Sequence, residues 1–285
     1  MTYKGGLSVK RLLFVLIIFT LLFNFPASAY VRYDAPYTLL VNSNIIKTEG
    51  NSIVYDTTAY APVRFFLNAI GIYDIHWDDL HRSVTFTCED KTVTLFEGNS
   101  LGLINEETVY IGGGVVLRNE RILVPVRFIA ELFGFYIEWD PVYYNANLIK
   151  EGVTVNDSLI EKAYTLEDLT WLYKIIEAES KGEPFEGKLA VGSVIMNRVK
   201  HPSFPNTIKE VIFDTAYGVQ FQPIRNNSIY NTPSLDSVIA GKLAANGARP
   251  VGDSLYFLNP KTASSYWILR TRVFYKSINN HDFYR

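Results

Sequence analysis

The spacing of apolar residues changes near the middle of this chain. Before Lys150 strand-like stretches prevail, among them Val84-Thr85-Phe86-Thr87-Cys88, which alternates with the period of a half-buried strand. From Thr165 onward apolar residues recur every three or four positions. Leu166, Leu169, Leu172, Tyr173 and Ile176 form one helical stripe, with Thr165 as N-cap, Asp168 three residues on, and Gly182 and Pro184 as the stop. Leu189, Val191, Val194, Ile195 and Val199 share a face of a second helix over Gly187 to Val199. Thr207 with Glu210 opens a third, and Ser234 opens a fourth that Asn246-Gly247 closes. Leu255 to Leu258 and Val273 to Ile278 read as short strands, expected to pair as a hairpin. The pattern predicts an α+β chain of two domains, the first β-rich and the second mainly helical with a small β-sheet.

The first domain is internally duplicated. Tyr60-Ala61-Pro62-Val63-Arg64-Phe65-Phe66, followed by Gly71 and Trp77-Asp78, returns about 63 residues later as Leu123-Val124-Pro125-Val126-Arg127-Phe128-Ile129, followed by Gly134 and Trp139-Asp140. In each copy Pro ends a strand-like stretch and opens a short helix, Gly closes the helix, and an aromatic strand carries the Trp. Duplication of this kind predicts a paired β-rich scaffold over residues 30–150. The recurrence of Arg64, Arg127, Trp77 and Trp139 in both copies favours framework roles over a sugar-stacking surface. Polar residues from Lys150 to Ser158 suggest a linker over residues 151–164, leaving residues 165–285 as the second domain, expected to fold by itself.

Composition changes this picture mainly at the N-terminus. Lys4, Lys10 and Arg11, the apolar run Leu12 to Phe25 and the small-residue site Ala27-Ser28-Ala29 read as an export signal over residues 1–29. An uncleaved anchor is disfavoured, because that run is shorter than the ~20 residues a spanning helix needs. The expected mature protein is therefore secreted, begins at Tyr30 and has no membrane segment. Residues 165–285 carry 14 basic and 11 acidic residues, and residues 30–164 carry 10 and 18. That mild basic excess suits an anionic polymer without identifying one, and no basic stripe points to nucleic acid. Cys88 is the single cysteine, so no intramolecular disulfide forms. His76 and His81 lack a third ligand at a metal-binding spacing.

The candidate for chemistry is Glu179. It continues the stripe of Leu172 and Ile176 at the end of a helix, half in the core and half facing a cleft, where partial desolvation favours the protonated carboxyl and suits it to proton donation near neutral pH. On spacing alone, Glu179 and Glu183 fit a solvated helix face with weak ion pairs better.

Several further stretches weigh against that plain reading. Ala178-Glu179-Ser180-Lys181-Gly182-Glu183-Pro184, Glu186-Gly187-Lys188-Leu189-Ala190-Val191, Asn197-Arg198-Val199, Phe204-Pro205-Asn206-Thr207-Ile208, Gln220-Phe221, Tyr256-Phe257-Leu258-Asn259-Pro260 and the closing His281-Asp282-Phe283-Tyr284 together resemble the SleB-type cell wall hydrolase family, the spore cortex-lytic enzymes. Ser180 stands where that family usually has Ala, and Leu258 where it has aromatic neighbours. The resemblance covers about 120 residues and implies a lysozyme-like fold. It also implies a peptidoglycan lytic transglycosylase that cuts glycan strands of spore cortex or cell wall between N-acetylmuramic acid and N-acetylglucosamine. Glu179 would then be its catalytic acid and base, with Glu183, Gln220, Phe221, Tyr256 and Asn259 on the substrate and no cofactor or metal. Residues 31–149 resemble the stalk domain named after the N-terminal region of copper amine oxidases, which implies no copper and suggests positioning on the wall or on a spore or wall partner protein. Two other functions compete: an N-acetylmuramoyl-L-alanine amidase built on His201 and His281, and a wall-binding protein without activity.

Overall fold

The computed structural model describes residues 34–216, 218–263 and 266–285. The expected export signal lies outside the described residues. In chain order the first part holds β1 (Ala35–Pro36), β2 (Thr38–Val41), β3 (Asn44–Ile45), β4 (Ile53–Tyr55), β5 (Thr58–Pro62), α1 (Val63–Ala69), β6 (Ile75–Asp78), β7 (Ser83–Cys88), β8 (Lys91–Phe96), β9 (Leu101–Ile104), β10 (Glu107–Tyr110), β11 (Val116–Arg118), β12 (Arg121–Pro125), α2 (Val126–Leu132), β13 (Tyr136–Asp140) and β14 (Asn145–Ile149). The second holds α3 (Leu166–Ser180), α4 (Phe185–Lys200), α5 (Ile208–Phe213), α6 (Gln222–Arg225), α7 (Leu235–Ala245), β15 (Tyr256–Leu258), α8 (Trp267–Thr271), β16 (Phe274–Ile278) and β17 (His281–Tyr284).

The duplication is visible as strand, short helix, strand in each copy. Pro62 and Pro125 cap α1 and α2, where a missing N–H costs nothing, and Gly71 and Gly134 follow each helix at φ +90° and +68°. The copies meet through their repeated strands: β5 pairs antiparallel with β12, Ala61 opposite Val124, at the centre of the sheet β1-β4-β5-β12-β11. A meander β10-β9-β8-β7-β6 and a sheet β13-β14-β2-β3 complete this part. Leu39, Phe66, Leu67, Phe86, Leu95, Ile129 and Leu148 fill its core. Trp139 serves as framework, edge-on to Tyr37 at 5.8 Å and to Tyr144 at 5.2 Å.

In the second part α3 forms where expected. Thr165 Oγ1 accepts from the Asp168 N–H while Asp168 accepts from the Thr165 N–H, a complete capping box. Helices α3, α4 and α7 pack closely because glycines remove bulk at their contacts. A Cβ on Gly192 would lie 2.8 Å from Ile176 Cδ1, and one on Gly241 would overlap the Tyr173 ring. The small sheet differs from expectation: β15 and β16 do not pair with each other, because β17 lies between them and pairs antiparallel with both. Asn279 at φ +48° and Asn280 turn the chain directly after β16, so the closing alternation His281-Asp282-Phe283-Tyr284 becomes the hairpin partner.

Residues 151–164 are tied down along the first part. Asn156 caps a 3-10 turn over Asp157–Leu159, its N–H donates to Ala69 O, and the Lys47 and Glu161 N–H groups donate to Leu159 O and Ile45 O. The helical core also continues into the β-rich part: Leu40 and Ile45 are buried with Leu169, Leu172, Tyr173 and Val238, and Tyr143 stacks on Tyr173 at 6.3 Å. Lys242 of α7 is 3% exposed and donates to Thr38 Oγ1 at 2.6 Å and Asn145 Oδ1 at 3.1 Å, on β2 and β14.

Candidate active site

Two glutamates two residues apart on the last turns of α3 meet opposite environments. Glu177 is buried, yet it accepts from Ser234 N–H and Oγ, from Ser237 Oγ at 2.7 Å and from Lys188 Nζ at 3.4 Å. Burial alone raises such a group, but here the hydrogen bonds outweigh it and hold Glu177 down at about 2. Glu177 is thus an ionised pin between α3, α4 and the N-terminus of α7. Glu179 has no such donors among the described residues. Burial raises its carboxyl from 4.5 to about 7, against the opposing pull of the Arg198 guanidinium. A carboxyl poised there is protonated often enough to donate and ionised often enough to accept.

Arg198 lies on α4, in line with the buried Val191, Val194 and Ile195. Its Nε donates to Leu255 O at 2.7 Å, and its guanidinium faces the rings of Phe204, Phe221 and Tyr256 at 5.0 to 5.6 Å. Burial lowers it to about 10 while Tyr256, Asp214 and Glu179 push it back up, so it stays cationic at neutral pH. This buried cation is fixed by backbone and by aromatic faces, so it stabilises an ionised Glu179 without neutralising it.

Glu179 opens into a cleft of about 1370 Å3 between the helices and the small sheet. Gln220, Phe221, Tyr256 and Asn259 all line it with Glu179. Gln220 Nε2 donates to Gly218 O, Phe221 is 3% exposed and supplies a floor, Tyr256 stands edge-on to Trp267 at 5.8 Å, and Asn259 Oδ1 accepts from the Lys261 N–H. Glu183 is not among the lining residues. Its carboxylate accepts from the N–H and Nδ2 of Asn280 and lies 3.9 Å from Nδ1 of His281, so it braces the β16–β17 turn behind a residue that does line the cleft. Arg198 stands in one of the stretches that carry the resemblance but was not expected in the site, although an arginine in register with an apolar helical stripe was a signal for it. Arg272 also lines the cleft and carried no signal in the sequence, whereas Asp214, which the sequence offered with Asp236 and Asp253 only as a scattered candidate for a second carboxylate, lines it too. His201 and His281 both line the cleft, and among the described residues no group of three or more His, Cys, Asp or Glu gathers at metal-binding distances.

Comparison with known proteins adds a family to this geometry. Residues 182–284 match the family described as cell wall hydrolase. The C-terminal part is thus similar to cell wall hydrolase domains. Residues 40–147 match the copper amine oxidase N-terminal domain. The chain is 40% identical over 124 residues to a spore cortex-lytic enzyme of Bacillus cereus, covering 44% of this chain and 46% of the relative. It is 36% identical over 121 residues to one of Bacillus subtilis, covering 42% and 38%. The chain therefore spans less than half the length of these curated relatives, and the shared part is the hydrolase domain. A solved structure described as the catalytic domain of the germination-specific lytic transglycosylase SleB of Bacillus anthracis is 39% identical, with 44% of this chain and all of that chain covered at a TM-score of 0.41.

Proposed function

We propose that this protein is a peptidoglycan-cleaving glycosidase, a lytic transglycosylase acting on spore cortex or cell wall, with Glu179 as its catalytic acid and base. The observation that carries this reading is a single carboxyl held at about 7, free of hydrogen-bond donors among the described residues and open to a cleft of about 1370 Å3. Protonated Glu179 donates to the oxygen joining N-acetylmuramic acid to N-acetylglucosamine, and the bond from C1 to that oxygen breaks with an oxocarbenium-like charge on the muramic ring. The Glu179 carboxylate then takes the proton of the muramic 6-hydroxyl as its oxygen closes on C1. The product is a 1,6-anhydro end, and the enzyme is back in its starting protonation state. No second carboxylate and no activated water enter these steps. Release across the expected signal would place the protein outside the membrane, and the β-rich part would position the domain on the wall or on a partner protein.

Asp214 supports one second reading, a two-carboxylate hydrolase, because it is the other carboxylate lining the cleft. The two differ by one water in their products. Purified cortex and vegetative wall are digested with the full chain in the presence of EDTA, and the muropeptides are weighed. Anhydro ends support the transglycosylase, reducing muramic ends point to hydrolysis through Asp214, and activity lost in EDTA revives the amidase built on His201 and His281.

A further inference from the structure

We infer that Arg272 is a recognition site for a carboxylate carried by the glycan strand, and that the cleft therefore selects strands whose peptide stems keep their free carboxylates. The inference rests on the peptidoglycan reading above and adds the chemistry by which that site picks its substrate.

Arg272 follows α8 and lines the same cleft as Glu179. Its guanidinium lies 4.6 Å from the Tyr256 ring centre and 4.7 Å from that of Trp267, two rings that stand edge-on to each other. Aromatic neighbours hold the planar group in one orientation and leave its N–H edges as the donors. Among the described residues no carboxylate pairs with it and none of its side-chain nitrogens has a hydrogen-bond acceptor, and Nε is buried from water without a partner. Arg272 is half-buried, and a charged donor shielded from water without an acceptor is costly, so a guanidinium fixed in this way is complementary to an oxyanion. The other arginines of the cleft differ: Arg198 spends Nε on Leu255 O, Arg285 pairs with Asp253 at 2.5 Å, and Arg225, on α6, has no aromatic ring against its guanidinium among the described residues. Arg272 is the lining arginine that combines fixed orientation with open donors.

The planar fork matches a carboxylate bidentately. On a peptidoglycan strand the carboxylates are borne by the peptide stems on N-acetylmuramic acid, while the N-acetylglucosamine rings carry none. Arg272 is thus placed to report which ring, and which stem, lies beside Glu179. Phosphate on wall polymers presents a similar oxyanion, and the test separates the two.

Wild type and Arg272→Gln, both as full chain, are assayed on native wall, on wall whose carboxylates are amidated with a carbodiimide and ammonia, and on wall stripped of phosphate polymers by hydrofluoric acid. A charge-assisted contact of this kind predicts that amidation raises the wild-type KM on the order of tenfold while kcat changes little. Arg272→Gln should show that raised KM already on native wall and no further rise on amidated wall, and Arg272→Lys should recover part of the loss. Equal losses on amidation in both proteins overturn the inference, as does a wild-type loss that follows phosphate removal instead. Co-sedimentation of the full-length Glu179→Gln protein with native and amidated wall gives the same comparison without turnover, and weaker binding to amidated wall is expected. A wild type that releases nothing from any wall refutes the glycosidase reading, while carboxylate dependence is still decided by the binding arm.

Discussion

Burial that tunes Glu179 for proton transfer also makes it a burden on the fold. Between pH 4.5 and about 7 the native state binds a proton that the unfolded chain has already released, so stability falls as pH rises through that window. The cost above pH 7 is on the order of 2 kcal/mol after allowance for partial exposure. Glu179→Gln should therefore melt higher than wild type at pH 7.5, with the difference closing near pH 4.5, as measured by thermal unfolding at the two pH values. The same substitution removes both proton donor and acceptor, and lysis of a wall suspension should drop by ~10²-fold or more. For wild type, kcat/KM should decline above about pH 7 as the acid form of Glu179 is lost. A profile flat to pH 9 would remove Glu179 from the role of donor.

Helix ends and one turn carry the site. The last turn of α3 separates Glu177, pinned by Ser234 and Ser237, from Glu179, which faces the cleft. Just beyond, Glu183 holds the Asn279-Asn280 turn of the β16–β17 hairpin against the start of α4. Burial raises Glu183 but the Asn280 and Asn279 side chains and the Asn280 N–H outweigh it, so the carboxylate is lowered and its hydrogen bonds stabilise the native state above the ordinary carboxylate range. Glu183→Ala should cost about 1–3 kcal/mol, the penalty for leaving buried donors unpaired, and should lower activity far less than Glu179→Gln. Urea unfolding beside a wall-lysis assay checks both. Equal activity losses in two stably folded variants would make Glu183 part of the chemistry rather than a brace.

The two parts of the chain are joined by more than their connecting segment. Leu40, Ile45 and Tyr143 complete the core around Tyr173, and Lys242 reaches from α7 into the β-rich part. Burial depresses Lys242 from 10.5 to about 7, with Asp140 pulling it back up. Between those values the unfolded chain holds the proton that the native state gives up, so this residue makes stability rise with pH from about 7 toward 10.5, by at most ~1.4 kcal/mol per pH unit. Lys242→Met should flatten that slope in urea titrations at pH 7, 8.5 and 9.5. Residues 165–285 expressed alone should keep a helical fold but melt below the full chain, because Leu169, Tyr173 and Lys242 lose their cover; an unchanged melting temperature would show that the shared core adds nothing.

Local patterns determined much of this. The capping box at Thr165, the helical stripe ending at Glu179 and the Pro–helix–Gly unit of each repeat depend on neighbours within a few residues, so their spacing was readable from the chain alone. Gln220, Phe221, Tyr256 and Asn259 were named through resemblance to a family, and the fold gathers them around Glu179. What sequence could not supply were relations between residues distant in the chain. Glu183 was expected on the substrate, but its side chain turns to Asn280, 97 positions away. Arg272 and Asp214 reach the cleft only because the small sheet and α5 frame it. The strand order β15-β17-β16, the strapping of residues 151–164 and the buried reach of Lys242 across 204 positions to Thr38 are likewise set by packing, since whether a polar group is buried depends on what the rest of the chain lays against it.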